Sequence, residues 1–127
     1  KTPGPVLDSF AKTYPNSEVL EWEFFEGKYT ASFFEKDNYT VAIFDVAGNW
    51  LQSSTQITEE QLPQKVKKCW NKKYKNIQFV TAILEVEKRD EKPKYHLSFE
   101  STENLVNLVY NKRGRIKSKF EEPIVMD

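Results

Sequence analysis

Cysteine and histidine are nearly missing from this chain: Cys69 and His96 stand alone among 127 residues. One thiol closes no internal disulfide, and metal sites built from paired cysteines are excluded by counting. One imidazole leaves nucleophilic catalysis a single candidate base, and no Gly-x-Ser-x-Gly elbow accompanies it. With only four glycines there is no Gly-rich phosphate loop. Excess charge is absent too, since 19 basic and 19 acidic side chains balance to zero. That balance removes the term that drives non-specific binding to nucleic acids and anionic membranes. The longest apolar runs, such as 41–44, have strand length, far short of the roughly 20 residues of a membrane span. No cofactor, no metal and no nucleic-acid partner are expected.

Large aromatics are abundant instead. Three Trp, six Tyr and nine Phe lie in a chain that is only 39% hydrophobic, and each ring can bury much area. Residues 1–127 are therefore expected to form a single globular domain. Val6, Phe10 and Tyr14 recur at spacing four, with Leu7 and Ala11 beside them, between Pro3-Gly4-Pro5 and Pro15. This predicts a short amphipathic helix. Across 19–55 the pattern changes to aromatic and β-branched runs broken at Glu26-Gly27, Lys36-Asp37-Asn38 and Ala47-Gly48-Asn49, which predicts about four antiparallel strands. Thr58-Glu59-Glu60-Gln61 has the form of a capping box, with Leu62, Val66, Cys69, Trp70 and Tyr74 following on one helical face. Pro63 stands near the start of that second helix or kinks its first turn. Runs at 77–87, 95–99, 105–110 and 116–120 predict about four more strands.

The order helix, four strands thus occurs twice. A shift of 66 residues pairs Lys28-Tyr29 with Lys94-Tyr95, Ser32-Phe33 with Ser98-Phe99, Phe44 with Tyr110, Asp45 with Asn111, Gly48 with Gly114 and Trp50 with Ile116. One ungapped register over two stretches points to a tandem repeat, about 1–57 and 58–127. The expected fold is α+β: two α-β-β-β-β repeats forming one antiparallel sheet of about eight strands with helices packed on one face.

Phe10, Tyr14-Pro15, Trp22, Gly27-x-Tyr29, Phe33, Phe44-Asp45 and Gly48-x-Trp50-Leu51, followed by Leu62-Pro63, Val66 and Tyr74, together resemble the PepSY-like proteins of Gram-negative bacteria. That family is also described as similar to β-lactamase inhibitory protein. The resemblance implies the tandem fold, export to the periplasm or cell envelope, and no known enzymatic activity. The second repeat departs from the pattern at Asn111 and Ile116, and no Trp matches Trp22. A chain that begins at Lys1 also has the form left after removal of a signal peptide or lipid anchor, as does any excised domain. Export, with a lipid on the native N-terminus as a further option, is the expectation.

The residues offer little chemistry. His96 lies in a strand pattern without a nucleophile nearby, and Cys69 reads as a buried thiol on the helix stripe. Asp45-x-x-Gly48 is too short for a calcium loop and reads as a hairpin turn. Asn38-Tyr39-Thr40 has the form of a glycosylation sequon, which is idle in a bacterial chain. Glu21, Glu23, Glu26, Glu85 and Glu87 alternate along strands as on a solvated face. The informative feature is the aromatic surplus. If Trp22, Tyr29, Phe33 and Ile43 face the helices, alternation sends Phe25, Phe34 and Phe44 to the opposite face. The repeat adds Tyr110, and Trp50 follows if its strand keeps phase. Phe25, Phe34, Phe44, Trp50 and Tyr110 are thus the candidate protein-binding residues of a free sheet face. They imply a non-enzymatic module that docks a protein partner, with a peptidase or other hydrolase that it inhibits or regulates among the candidates. The alternative is a carrier of a small apolar ligand, held between sheet and helices near Trp22, Phe24 and Tyr95.

Overall fold

The computed structural model describes residues 1–75 and 77–124. Helix α1 (Gly4–Thr13) precedes strands β1 (Val19–Phe25), β2 (Lys28–Glu35), β3 (Asn38–Asp45) and β4 (Trp50–Gln56). Helix α2 (Gln64–Lys73) precedes β5 (Thr81–Glu87), β6 (Lys94–Glu100), β7 (Asn104–Asn111) and β8 (Ile116–Pro123). The eight strands are ordered β1 to β8 in one antiparallel sheet, the expected α+β architecture. The chain divides into two compact units, Lys1–Thr55 with Val86–Glu91, and Gln56–Glu85 with the chain from Lys92 onward.

The first unit packs α1 on one side of β1 to β4. Val6 and Phe10 are the buried helix residues, as the spacing predicts, while Leu7 is 45% exposed. Phe10 is the centre of an aromatic cluster, with ring centroids 4.9 Å from Phe33, 5.6 Å from Tyr14, 5.8 Å from Trp22 and 6.4 Å from Phe44. Ala31 and Ala42 are fully buried among these rings. A larger side chain at either would meet a closely packed interior. Each large ring buried here is worth roughly 1.5–3 kcal/mol of transfer free energy.

The second unit repeats the plan with different residues. Val66 and Trp70 are the buried positions of α2, and the Trp70 ring lies 4.9 Å from Tyr74, and 5.5 Å from both Phe79 and Phe99. Leu97 and Leu108 occupy the places that Ala31 and Ala42 hold in the first unit. Thr58 and Gln61 do form a capping box, but it caps a short 3-10 turn at Glu59–Gln61. The α-helix itself starts after Pro63, which sits at its N-cap with extended backbone. Proline disfavours helical geometry in the residue before it, so Leu62 ends the turn and the helix begins afresh. Strand β5 starts at Thr81, not at residue 77.

Both turns that follow the central strands are built alike. Asp45 accepts hydrogen bonds from Ala47 N at 3.0 Å and Asn49 N at 2.9 Å. Asn111 accepts from Arg113 N at 2.9 Å and Arg115 N at 3.0 Å. An amide oxygen therefore replaces the carboxylate oxygen without loss of the turn. Gly48 and Gly114 have φ of 92° and 82°. A Cβ on Gly48 would stand 2.5 Å from the Pro5 carbonyl oxygen, and one on Gly114 2.5 Å from that of Lys65. Both left-handed backbone and close approach to a helix demand glycine at these positions.

Candidate protein-binding face

Register decides which side chains face away from the helices. Two-residue loops join β1 to β2 at Glu26-Gly27 and β2 to β3 at Lys36-Asp37, with positive φ at all four residues, 50°, 77°, 49° and 70°. This is the hairpin geometry whose twist matches that of the flanking strands. Glu35 consequently opposes Asn38, Phe33 opposes Thr40 and Ala31 opposes Ala42. Odd-numbered positions of β2 share a face with even-numbered positions of β3.

That parity corrects the expected site. Phe44 and Tyr110 are fully buried on the helix side, at 0% exposure, so neither belongs to a free face. Ile43, expected beneath the helix, lies on the opposite side, opposite Thr30. Trp50 opposes Phe44 across a bulge, packs against the first core and donates from Nε1 to Ser53 Oγ at 2.8 Å. Phe25 and Phe34 do point away from α1, and they are 72% and 54% exposed. Phe25 ends β1 beside Lys28, while Phe34 opposes Tyr39, with the two rings 5.7 Å apart. Val41 and Ile43 lie between them on β3, with Thr30 and Ser32 alongside on β2. The helix-free face of the first unit thus carries aromatics at its two ends and aliphatic and hydroxyl groups between. Tyr39, Val41 and Ile43 are not among the residues expected on a free face, Ile43 having been expected beneath the helix.

On the second unit the corresponding face holds Ile83, His96 and Val109 in one row, and Thr81, Ser98, Asn107 and Phe120 in the next. Phe120 is 52% exposed. His96 Nε2 lies 3.3 Å from Glu85 Oε1, and the Thr81 and Ser98 hydroxyls are hydrogen-bonded to each other. His96 therefore has a carboxylate partner, while the hydroxyls of the next row are engaged with each other. Cys69 is exposed rather than buried. At 100° per residue it falls at the edge of the stripe set by Val66 and Trp70, and its sulfur fits against side-chain-free Gly114. Among the described residues no group of three or more His, Cys, Asp or Glu side chains could hold a metal ion.

The candidate ligand-cavity residues fall in different units, Trp22 and Phe24 in the first and Tyr95 in the second. Trp22 is packed into the first core, and Tyr95 against the second. Phe24 is 58% exposed and lies 4.6 Å from Tyr29. Burial pushes the phenol of Tyr95 above its usual pKa, and does so more strongly at Tyr110, to about 12. Burial also raises that of Tyr14, partly offset by its Ser53 hydrogen bond, with Glu35 adding to the rise.

Residues 27–118 match the family model described as "Putative beta-lactamase-inhibitor-like, PepSY-like". The chain belongs to this PepSY-like family. Solved structures agree at the level of fold. A BLIP-like protein from Bacteroides fragilis has a TM-score of 0.89 at 19% identity, with 100% of this chain and 91% of that chain covered. A DUF2874 family protein from Bacteroides ovatus has a TM-score of 0.85 at 19% identity, covering 95% of this chain and 88% of that one. A structure from Bacteroides eggerthii described as "putative periplasmic" has a TM-score of 0.84 at 14% identity, covering 95% and 89%. No curated protein matches the chain. No helix among the described residues of this PepSY-like chain is long and apolar enough to cross a membrane.

Proposed function

We propose that the chain is a non-enzymatic, exported binding module whose helix-free sheet face docks a protein partner in the periplasm or cell envelope. The observation that carries this is the exposure of Phe25 and Phe34 on a face that α1 leaves uncovered. Aromatic rings set among small hydroxyl groups give large contact area at low entropic cost, as interface anchors do. The family's description as beta-lactamase-inhibitor-like and the periplasmic description of one structural neighbour support the reading. A hydrolase that the module inhibits or regulates is the finer form of it.

The test is capture from an envelope extract on the immobilised domain, followed by titration of the captured protein against wild type and a Phe25→Ser/Phe34→Ser variant. The expected result is one specific protein whose affinity falls by about 2 kcal/mol or more in the variant. Equal affinity for both baits, or no protein retained by either, overturns the proposal.

A further inference from the structure

The two units differ most at a place on the helix side, independent of the docking face. In the first unit the Tyr14 and Ser53 hydroxyls share a 2.5 Å hydrogen bond, and the indole of Trp50 donates to the same Ser53 oxygen. Phenol, serine and indole thus satisfy one another beside the first core. The glycine contacts with Pro5 and Lys65 fix which helix residues correspond. Tyr14 answers to Tyr74, and the strand shift of 66 makes Phe44 answer to Tyr110, Trp50 to Ile116 and Ser53 to Lys119.

The second unit therefore keeps one phenol, adds another, and removes both the serine and the indole. The Tyr74 and Tyr110 hydroxyls are buried without a hydrogen-bond partner among the described residues. Tyr110 is completely buried, and Tyr74 and Cys69 stand near enough to add to the burial that raises its pKa. Ile116, directly opposite Tyr110 across β7 and β8, lines an open groove of about 610 Å³ with Cys69, Lys72, Lys73, Gly114 and Arg115. No carboxylate among the described residues forms an ion pair with Lys72, Lys73 or Arg115. An apolar lining beside three cations with no ion-pair partner among the described residues, Lys73 Nζ lying 6.0 Å from the Tyr74 ring centroid, suits an apolar anion.

We propose that this groove binds a small aromatic carboxylate. Its ring takes the ground that the Trp50 indole covers in the first unit, and its charge faces Lys72, Lys73 and Arg115. The chain's own indole in the first unit shows what shape this plan accommodates.

Indole-3-acetate is the probe, titrated into the intact chain at low ionic strength and followed by amide chemical shifts and calorimetry. Saturable binding with a Kd of about 1 mM or tighter is expected, with shifts centred on Cys69, Lys72, Lys73 and 114–116. Acetate and 3-methylindole, each lacking one half of the ligand, should bind about tenfold more weakly or worse. Ile116→Trp rebuilds the first-unit indole and should lower the affinity by at least about tenfold. A Lys72→Ala/Lys73→Ala/Arg115→Ala variant alters exposed side chains only, and the same loss is expected. No saturable binding at about 5 mM, or undiminished affinity in the triple variant, overturns the proposal whether or not Ile116→Trp folds.

Discussion

Tyr110→Phe should stabilise this protein, although it removes a polar group from the centre of a core. The hydroxyl is buried with no hydrogen-bond partner among the described residues, and the residue is 0% exposed. Folding therefore strips water from it without replacement, a cost of about 1–3 kcal/mol. Deleting one oxygen leaves a void on the order of 10 Å³, which costs about 0.3 kcal/mol at the usual cavity coefficient. Cavity loss is the smaller effect, so a net gain of about 1–2 kcal/mol is expected, or a rise of roughly 3–8 °C in Tm for a chain of this size. The first unit already carries phenylalanine at the matching place, Phe44, and buries it completely.

The same hydroxyl gives the prediction a second arm. Its folded pKa lies near 12, above the ordinary 10.0, because burial disfavours the phenolate. The folded state thus holds the proton more tightly than the unfolded state. Ionisation therefore leaves stability untouched well below pH 10 and lowers it as pH rises from there towards 12, with a slope of up to about 1.4 kcal/mol per pH unit. Urea unfolding of wild type and Tyr110→Phe between pH 7 and 11 measures both arms. The variant should start higher and decline less steeply, keeping the residual slope that Tyr14 and Tyr95 supply. A loss of stability beyond about 0.5 kcal/mol at pH 7 would refute the reasoning, since it would mean the hydroxyl is bonded in the folded protein.

Three further outcomes follow from the packing. Phe44→Ala should cost about 3–5 kcal/mol by urea unfolding, as a buried ring does, whereas Phe25→Ser should stay within about 0.5 kcal/mol; equal effects would mean the face assignment is wrong. Gly114→Ala should lower stability by more than about 2 kcal/mol through both its left-handed φ and the clash with the Lys65 carbonyl. Cys69→Ala should not rescue it, because the carbonyl remains. Asp45→Asn should leave the turn intact, as Asn111 does in the second unit, while Asp45→Ala should weaken it. Hydrogen bonds from Asn49 hold the Asp45 carboxyl below its usual pKa. Its contribution is therefore present above the ordinary carboxylate value and lost as pH falls through the lower folded one. Asp45→Asn should flatten that acidic decline in a pH series of thermal melts.

Element order, both helices and eight strands were legible because period and turn chemistry agreed throughout the chain. The face assignment failed at β3, and the placements of Trp50 on β4 and Tyr110 on β7, which followed from it, failed with it. β3 is apolar on both sides, with Val41 and Ile43 on one and Ala42 and Phe44 on the other, so alternation alone cannot say which pair is inside. The deciding signals were present elsewhere. Reading Lys36-Asp37 as the whole loop, instead of a three-residue break, reverses the parity between β2 and β3. Asn107 in β7 also marks the side shared by Leu105 and Val109 as polar, which sends Val106, Leu108 and Tyr110 inward. The repeat shift then carries 40, 42 and 44 inward with them.

Cys69 illustrates a different limit. Its spacing from Val66 and Trp70 places it at the margin of the helical stripe, where burial depends on what approaches from the strands. What approaches is Gly114, with no side chain to cover the sulfur. Likewise, the exchange of Trp50 for Ile116 is visible in the aligned repeats as a single difference, and by itself it has no sign. Only contacts reveal that this indole shares Ser53 with a tyrosine, and that Lys119 stands where the serine would be. With Tyr110 in place of Phe44, these three sequence differences leave two buried phenols without a hydrogen-bond partner among the described residues of the second unit. In a duplicated fold the shared residues report on stability, because both copies must solve the same packing problem. Where one copy stops solving it, the packing constraint is lifted, and here that place is the ground between α2 and the β7–β8 hairpin, where the proposed groove lies.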